Sequence, residues 1–261
     1  MNVSEATRWV GENMSLAVLV LTRVSLLLMT MPAIGVGVPR RVRAMLAIMT
    51  TILLLGPVTE IDSSVVLPEL GQWTLLAIAI GREALVGLLI GSTIQLVVTG
   101  LQTGGEIMTG TGGMQLGDAI DPSTGAAMPA VARMIGLLVV AILLAVGGHR
   151  WIMNTLIDSF HAMPAGNVRF EEVSIQLIVA QLSSGMAAGM KIAAPIVAAL
   201  LLSNLVTGLI SRTLPQINVL AIGLSVNALA LLLTLSFGLT AVGYVFRTEL
   251  DIALSRLATV F

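Results

Sequence analysis

Residues 192 to 211 read IAAPIVAALLLSNLVTGLIS, and residues 213 to 246 read TLPQINVLAIGLSVNALALLLTLSFGLTAVGYVF. Neither stretch contains Asp, Glu, Lys or Arg, and only Arg212 separates them. A helix that crosses the hydrocarbon core of a membrane needs about 20 predominantly apolar residues. Both stretches reach that length, so this part of the chain predicts membrane-embedded helices.

The same pattern extends over the rest of the 261-residue chain. Other charge-free stretches run from Asn13 to Thr22, Ala44 to Thr59, Ala84 to Gly105, Met134 to His149 and Val173 to Met190. Some are short for a span, whereas residues 213 to 246 would form a helix of about 51 Å at ~1.5 Å per residue. Such mixed lengths predict an all-α fold of kinked, membrane-associated helical hairpins, buried partly in protein. Because no repeat and no soluble segment stands apart, we expect a single domain over residues 1–261.

The composition excludes most soluble protein classes. Hydrophobic residues make up 56% of the chain, charged residues only 10%, and the mean hydropathy is +1.00. Soluble domains carry about 25% charged residues, so a cytosolic enzyme and a disordered segment are excluded, and the absence of cysteine excludes a disulfide scaffold. The formal net charge of -1 provides no basic face for nucleic acid.

Aromatic residues are few and glycines are many. Membrane spans that face lipid usually carry Trp and Tyr at both interfaces. This chain has only three Trp and one Tyr, but it has 26 Gly. Much of its apolar surface is therefore expected to face protein. Glycines recur at intervals of four, which lets helices approach closely, at Gly87 and Gly91, at Gly100 and Gly104, and at Gly185 and Gly189. Glu83 lies four residues before the first pair, on the same helix face. These faces are predicted to pack within the chain or to dock onto partner subunits.

Four charged residues lie within or beside apolar stretches, namely Arg23, Arg82, Glu83 and Lys191. A charge at the bilayer centre costs roughly 3 kcal/mol on insertion scales, so each is expected to have a partner or a wet environment. Arg82 and Glu83 cannot pair with each other, because neighbours in a helix point about 100° apart. Two interpretations stay open: an ion pair that fixes helix register, or a polar lining that contacts an assembly partner. A proton relay would need a second buried carboxylate beside Glu83, and none is recognised.

A glycine-rich segment from Gly104 to Gly125 reads GGEIMTGTGGMQLGDAIDPSTG. It lacks the lysine and the spacing of a phosphate-binding loop. We interpret it as a loop, and a loop of this length in a compact domain is often functional. Met108 and Met114 can fill irregular gaps. The segment is either a plain connection or a hinged loop that seals a pore and yields to a passing chain.

No catalytic or metal-binding pattern is recognised. His149 and His161 lie apart from any cluster of potential ligands, and His149 is interpreted as a polar anchor at a helix end. Neither a Ser-His-Asp arrangement nor an H-E-x-x-H motif is recognised. The chain is therefore predicted to be neither an enzyme nor a cofactor-binding protein.

Four stretches resemble the FliR family, membrane components of the bacterial flagellar protein export gate with relatives in virulence type III secretion. The resemblance covers nearly the whole chain in the same order. It is carried by Arg82-Glu83 with Gly87 and Gly91; by Asp121-Pro122-Ser123-Thr124-Gly125, Pro129 and Arg133; by Gly147-Gly148-His149 and Ser159-Phe160; and by Ala194-Pro195, Asn204, Gly208, Arg212, Pro215-Gln216-Ile217-Asn218-Val219 and Gly223. Leu224-Ser225 stands where the family pattern has Phe-Pro, so no proline kink is expected there.

The resemblance implies a pore-forming subunit of a multi-subunit helical core in the bacterial cytoplasmic membrane, at the flagellar basal body. It implies partners of the FliP, FliQ and FlhB types, and unfolded flagellar subunits as the exported substrates. It also implies that the Gly/Met-rich segment within Glu106 to Asp118 acts as a plug. The plug residues would be Glu106, Met108, Gly110, Gly112, Gly113, Met114 and Gly117.

Two other functions remain open. The first is the equivalent subunit of a virulence secretion system. The second is an ion-coupled small-molecule transporter, which usually has two similar halves around a midplane site. No such halves are recognised in this sequence.

Overall fold

The computed structural model describes residues 14–32, 38–61, 72–113, 129–168, 172–213 and 219–260. Within these ranges the chain forms seven α-helices and no strand. In chain order they are α1 Met14–Thr30, α2 Arg40–Ile61, α3 Trp73–Thr111, α4 Ala130–Ala145, α5 Gly148–Ala162, α6 Glu172–Thr213 and α7 Val219–Leu257. The prediction of an all-α fold is confirmed.

In the part of the chain that the structure describes, four segments are long and apolar enough to cross a membrane: Arg40–Thr59, Trp73–Thr111, Gln176–Thr213 and Ile222–Leu257. Helices α4 and α5 form a fifth candidate that is bent by 70°. The bend lies at Gly147, whose φ of 81° is in the left-handed region, which glycine adopts without steric penalty. The predicted kinked geometry is therefore present in this pair.

Two helices are longer than the charge-free stretches suggested. Helix α6 unites the stretches that end at Met190 and Ser211, and Lys191, which lies between them with an exposed side chain, does not interrupt the helix. The same helix continues through Pro195, although proline cannot donate a hydrogen bond to the carbonyl four residues earlier. Helix α3 reaches Thr111 and so includes the start of the glycine-rich segment.

The chain forms two compact units. The first comprises Met1–Gln95, Val146–Val179 and Leu254–Phe261. Within it α1 packs against α2, and α1 buries a stripe with helical spacing that consists of Leu16, Leu19, Val20, Arg23, Val24, Leu27 and Leu28. A smaller apolar cluster joins Leu89, Leu177 and Leu257.

The second unit comprises Leu96–Ala145 and Ala180–Ala253. Its α4 buries a face formed by Ala132, Ile135, Gly136, Val139 and Leu143. Helices α6 and α7 are much less covered, since only 22% of the most apolar window of each is buried.

Candidate functional site

The first unit contains a buried ion pair between α1 and α3. The Nε atom of Arg23 donates to Oε2 of Glu83 over 2.6 Å, and both side chains are 0% exposed. The other carboxylate oxygen, Oε1, accepts a hydrogen bond of 2.9 Å from the backbone N–H of Gly166. Glu83 thus has the partner that its position in an apolar helix required.

The rest of the Arg23 guanidinium contacts α5 and the turn after it. Nη1 donates to the carbonyl oxygen of Ser159 over 2.9 Å and to its Oγ over 3.1 Å. Nη2 donates to the carbonyl oxygen of Met163 over 2.9 Å, and the guanidinium carbon lies 4.1 Å from the ring centroid of Phe160. All three guanidinium nitrogens and both carboxylate oxygens thus have partners, and the cluster joins α1, α3 and α5.

The glycines beside Glu83 pack against α1. A Cβ atom at Gly87 would overlap the carbonyl oxygen of Arg23, and one at Gly91 would overlap Oγ1 of Thr30. Helix α1 therefore packs directly against this face of α3. Of the two alternatives, packing within the chain or docking onto a partner, the structure shows packing within the chain at Gly87 and Gly91. A contact of the same glycines with a partner subunit stays a prediction.

The other two glycine pairs face each other in the second unit. A Cβ atom at Gly100 of α3 would overlap the backbone of Gly185 in α6. One turn along, a Cβ atom at Gly189 would overlap the carbonyl oxygen of Gly100 and approach the backbone of Gly104. The two small-residue motifs thus form one close helix crossing within the chain.

The four predicted intramembrane charges have different environments. Arg23 and Glu83 are buried, whereas Arg82 and Lys191 are exposed. Lys191 borders a mainly apolar cavity of about 360 Å³ between α6 and α7. Its other lining residues are Ile192, Pro195, Ile196, Thr234, Phe237, Gly238, Ala241 and Val245.

The predicted plug residues do not all lie in a loop. Glu106, Met108 and Gly110 belong to α3, and Gly112 and Gly113 form the turn after it. Met114 and Gly117 lie outside the described residues. Met108 is 0% exposed, and Glu106 is half-buried.

The prediction of a loop was therefore wrong for residues 104–111. A glycine inside a helix costs about 1 kcal/mol relative to alanine, but here Gly104 and Gly105 allow close contact. A Cβ atom at Gly105 would approach the Cα atom of Ala132 in α4, and one at Gly104 would approach the backbone of Gly189. Packing against these neighbours outweighs the low helix propensity, and this effect is not visible in the local sequence.

Two polar features were missed in the sequence. Ser203, Asn204 and Asn227 form a hydrogen-bonded cluster at the end of α3. Glu249 of α7 is 7% exposed, and its Oε2 has no hydrogen-bond partner among the described residues. The two asparagines could have been found, because an amide inside a charge-free stretch also requires partners.

Comparison with known proteins gives a consistent result. The family model described as "Bacterial export proteins, family 1" matches residues 14–252. A "Flagellar biosynthetic protein FliR" of Escherichia coli K12 is 29% identical over 204 residues, which cover 78% of this chain and 76% of that protein. The protein of the same name in Caulobacter vibrioides is 28% identical over 241 residues, covering 90% and 94%.

A relative with a different name also matches. The "Surface presentation of antigens protein SpaR" of Shigella flexneri is 25% identical over 150 residues, which cover 57% of each chain. The family model, in contrast, extends from α1 to α7 and thus over nearly all the helices described above. This chain therefore belongs to the bacterial export proteins of family 1.

Proposed function

We propose that the chain is a structural subunit of the flagellar type III export gate and forms part of the wall of its channel. The observation that carries the proposal is the similarity to a FliR protein over 90% of this chain and 94% of that relative. The candidate spans in four helices agree with a membrane component. The role is structural, with transport of unfolded flagellar subunits as the outcome and no catalysis by this chain.

The uncovered faces of α6 and α7 support assembly with other subunits. Large apolar side chains are exposed along both helices, among them Leu201, Leu202, Leu205, Leu209, Leu229, Leu232, Leu233 and Phe237. Apolar patches of this kind mark contacts with protein or membrane. Since Trp and Tyr are scarce, we assign a large share of these faces to FliP-type and FliQ-type subunits and the remainder to lipid. An FlhB-type subunit completes the assembly in the bacterial cytoplasmic membrane, at the flagellar basal body.

The glycine faces support this assembly indirectly. Because Gly87, Gly91, Gly185 and Gly189 contact the chain's own helices, they determine how the exposed faces are presented. Replacing Gly87 with Leu is expected to separate α1 from α3 and thereby to prevent co-purification with the sister subunits. A Gly87→Leu variant that assembles fully would remove the proposed role of this face.

The function is tested by isolation of the chain from native membranes, with mass spectrometry of the co-eluting proteins. The expected partners are the FliP-, FliQ- and FlhB-type subunits of the same bacterium. Deletion of the gene should abolish the export of flagellar subunits into the medium, and the intact gene should restore it. Absence of these subunits from the chain isolated from native membranes, or a deletion strain that still exports flagellar subunits, would refute the proposal.

We further propose that the segment after α3 closes the channel. The support is its glycine and methionine content and its place directly after the end of α3 at Thr111. Deletion of Gly110 to Gly117 should make the closed complex leak ions, because the segment would no longer fill the pore. Membrane conductance is the measurement, and unchanged conductance would argue against a plug.

A virulence secretion system is the second candidate, favoured by the similarity to SpaR. We prefer the flagellar role because the SpaR match covers 57% of the chain, whereas the Caulobacter match covers 90%. The proteins missing from the medium of a deletion strain separate the two roles. Loss of virulence effectors with retained flagella would support the second.

A further inference from the structure

Side chains from two helices surround the end of α3 in the second unit. The Nδ2 atom of Asn204 in α6 donates to the carbonyl oxygen of Thr111 over 3.1 Å. The Nδ2 atom of Asn227 in α7 donates to the carbonyl oxygen of Gly112 over 3.3 Å. The last carbonyl groups of a helix have no partner within the helix itself, and these two carbonyls are bound by side chains of other elements.

The two amides also bind each other. Nδ2 of Asn227 donates to Oδ1 of Asn204 over 2.6 Å, and Oγ of Ser203 donates to Oδ1 of Asn227 over 2.7 Å. A carbonyl oxygen can only accept hydrogen bonds, so the NH₂ groups of both amides must point towards the end of α3. The cluster therefore has one consistent arrangement of donors and acceptors.

The apolar surroundings favour this hydrogen-bonded arrangement over one with unpaired amides. Asn227 is 6% exposed, whereas nearby positions of α6, including Leu205, Val206 and Leu209, expose apolar side chains. In an apolar environment an amide that loses its partner is costly, and polar side chains hold helices together. The turn itself is closed by Gly113, which has a φ of 73° and donates its N–H to the carbonyl oxygen of Gly110 over 3.2 Å.

We propose that Asn204, Asn227 and Ser203 form a polar lock that positions the end of α3 at Thr111 and Gly112 and so holds the export gate closed. The gating part rests on the function proposed above. Three elements meet in the lock, so its release frees α3 from both α6 and α7. Each bond joins neutral groups and is individually weak.

The test compares two lock variants with a matched control in the complex isolated from native membranes. Asn227→Leu removes both donations of the buried amide at similar volume, and Asn204→Ala removes the exposed one. Thr207→Val is the control, because the Thr207 hydroxyl donates to the carbonyl oxygen of Ser203 in its own helix and takes no part in the lock. Hydrogen–deuterium exchange at the Gly112 and Gly113 amides should become roughly tenfold faster in Asn227→Leu, as expected for the loss of two neutral hydrogen bonds. The control should exchange as the unmodified complex does.

A second measurement tests gating. Both lock variants should assemble normally and still export, but should raise the ion conductance of the closed complex, whereas Thr207→Val should not. The double variant should leak less than the sum of the increases in the two single variants, because residues of one network are not additive. Normal sealing in both lock variants, failure of both to assemble, or a leak in the control would overturn the lock. If the unmodified complex exports no flagellar subunits, the proposed function is wrong. The hydrogen–deuterium exchange measurement tests the lock independently of that result.

Discussion

At the residue scale, the buried Glu83 binds Arg23 and Gly166 and so links α3 to two other segments of the first unit. Replacement by Gln removes its charge and leaves the buried Arg23 guanidinium without a counter-charge. Loss of one partner of a buried ion pair costs about 3–5 kcal/mol, so Glu83→Gln should strongly lower the thermal unfolding temperature of the purified chain. The neighbouring Arg82 is exposed, and Arg82→Gln is the matched control, expected to change stability by no more than about 0.5 kcal/mol.

Equal losses in the two variants would contradict a special role for the Arg23–Glu83 pair. Simultaneous replacement of Arg23 and Glu83 by Leu should be less damaging than the single change, because no unpaired charge remains. The recovery should be partial, since Gly166 N–H and the carbonyl oxygens of Ser159 and Met163 also lose their partners.

Replacement of Glu249 should not have the destabilising effect expected for Glu83→Gln. Its carboxylate is buried, and Oε2 has no hydrogen-bond partner among the described residues. A buried polar atom without a partner costs about 1–3 kcal/mol, so Glu249→Met should leave the unfolding temperature of the isolated chain unchanged or raise it. A loss as large as that of Glu83→Gln would show that the carboxylate stabilises the fold.

Charges were easier to interpret from the sequence than amides. The cost of a charge in an apolar stretch indicated that Glu83 needs a partner, but not which one, because Arg23 lies 60 residues away in the chain. No role was predicted for Asn204 or Asn227, since an amide breaks an apolar pattern less visibly than a charge does. Besides each other and Ser203, they bind two backbone carbonyls, which no side-chain pattern records.

At the element scale, the crossing of α3 and α6 depends on glycine at four positions. A Cβ atom at Gly185 would approach the carbonyl oxygen of Leu96, so Gly185→Ala forces two backbones apart. Overpacking of this kind costs about 1–3 kcal/mol. Gly208 lies in the same helix, and a Cβ atom at this position would have no neighbouring atom within 4 Å. Gly208→Ala should therefore stabilise α6 by up to about 1 kcal/mol.

Thermal unfolding of the two alanine variants measures this difference. A Gly185→Ala protein as stable as Gly208→Ala would mean that α3 and α6 do not approach closely. The four-residue spacing of the glycines was visible in the sequence, but not the identity of the opposing helix. The end of α3 was not predictable for the same reason, because the neighbours of Gly104 and Gly105 are Gly189 and Ala132 of two other helices.

At the scale of the whole molecule, exposed apolar area connects the fold with assembly. The most apolar part of α3 is 61% buried, whereas the most apolar parts of α6 and α7 are each 22% buried. A membrane protein can leave such faces to lipid, but then interfacial Trp and Tyr are usual, and three Trp with one Tyr are few for this length. The composition alone therefore indicates protein contacts, but it does not indicate which helices provide them.

The absence of cysteine allows this idea to be tested with single introduced thiols. Leu232 and Phe237 of α7 are 62% and 84% exposed, whereas Leu231 is 1% exposed. A nitroxide spin label on cysteine at 232 or 237 should be accessible to dissolved oxygen, which concentrates in lipid hydrocarbon, in the chain expressed alone, and should become protected when the sister subunits are co-expressed. A label on cysteine at 231 is the control and should stay inaccessible in both cases. Because lipid is present in both samples, protection that depends on the partners identifies protein as the cover, whereas equal accessibility would assign these faces to lipid.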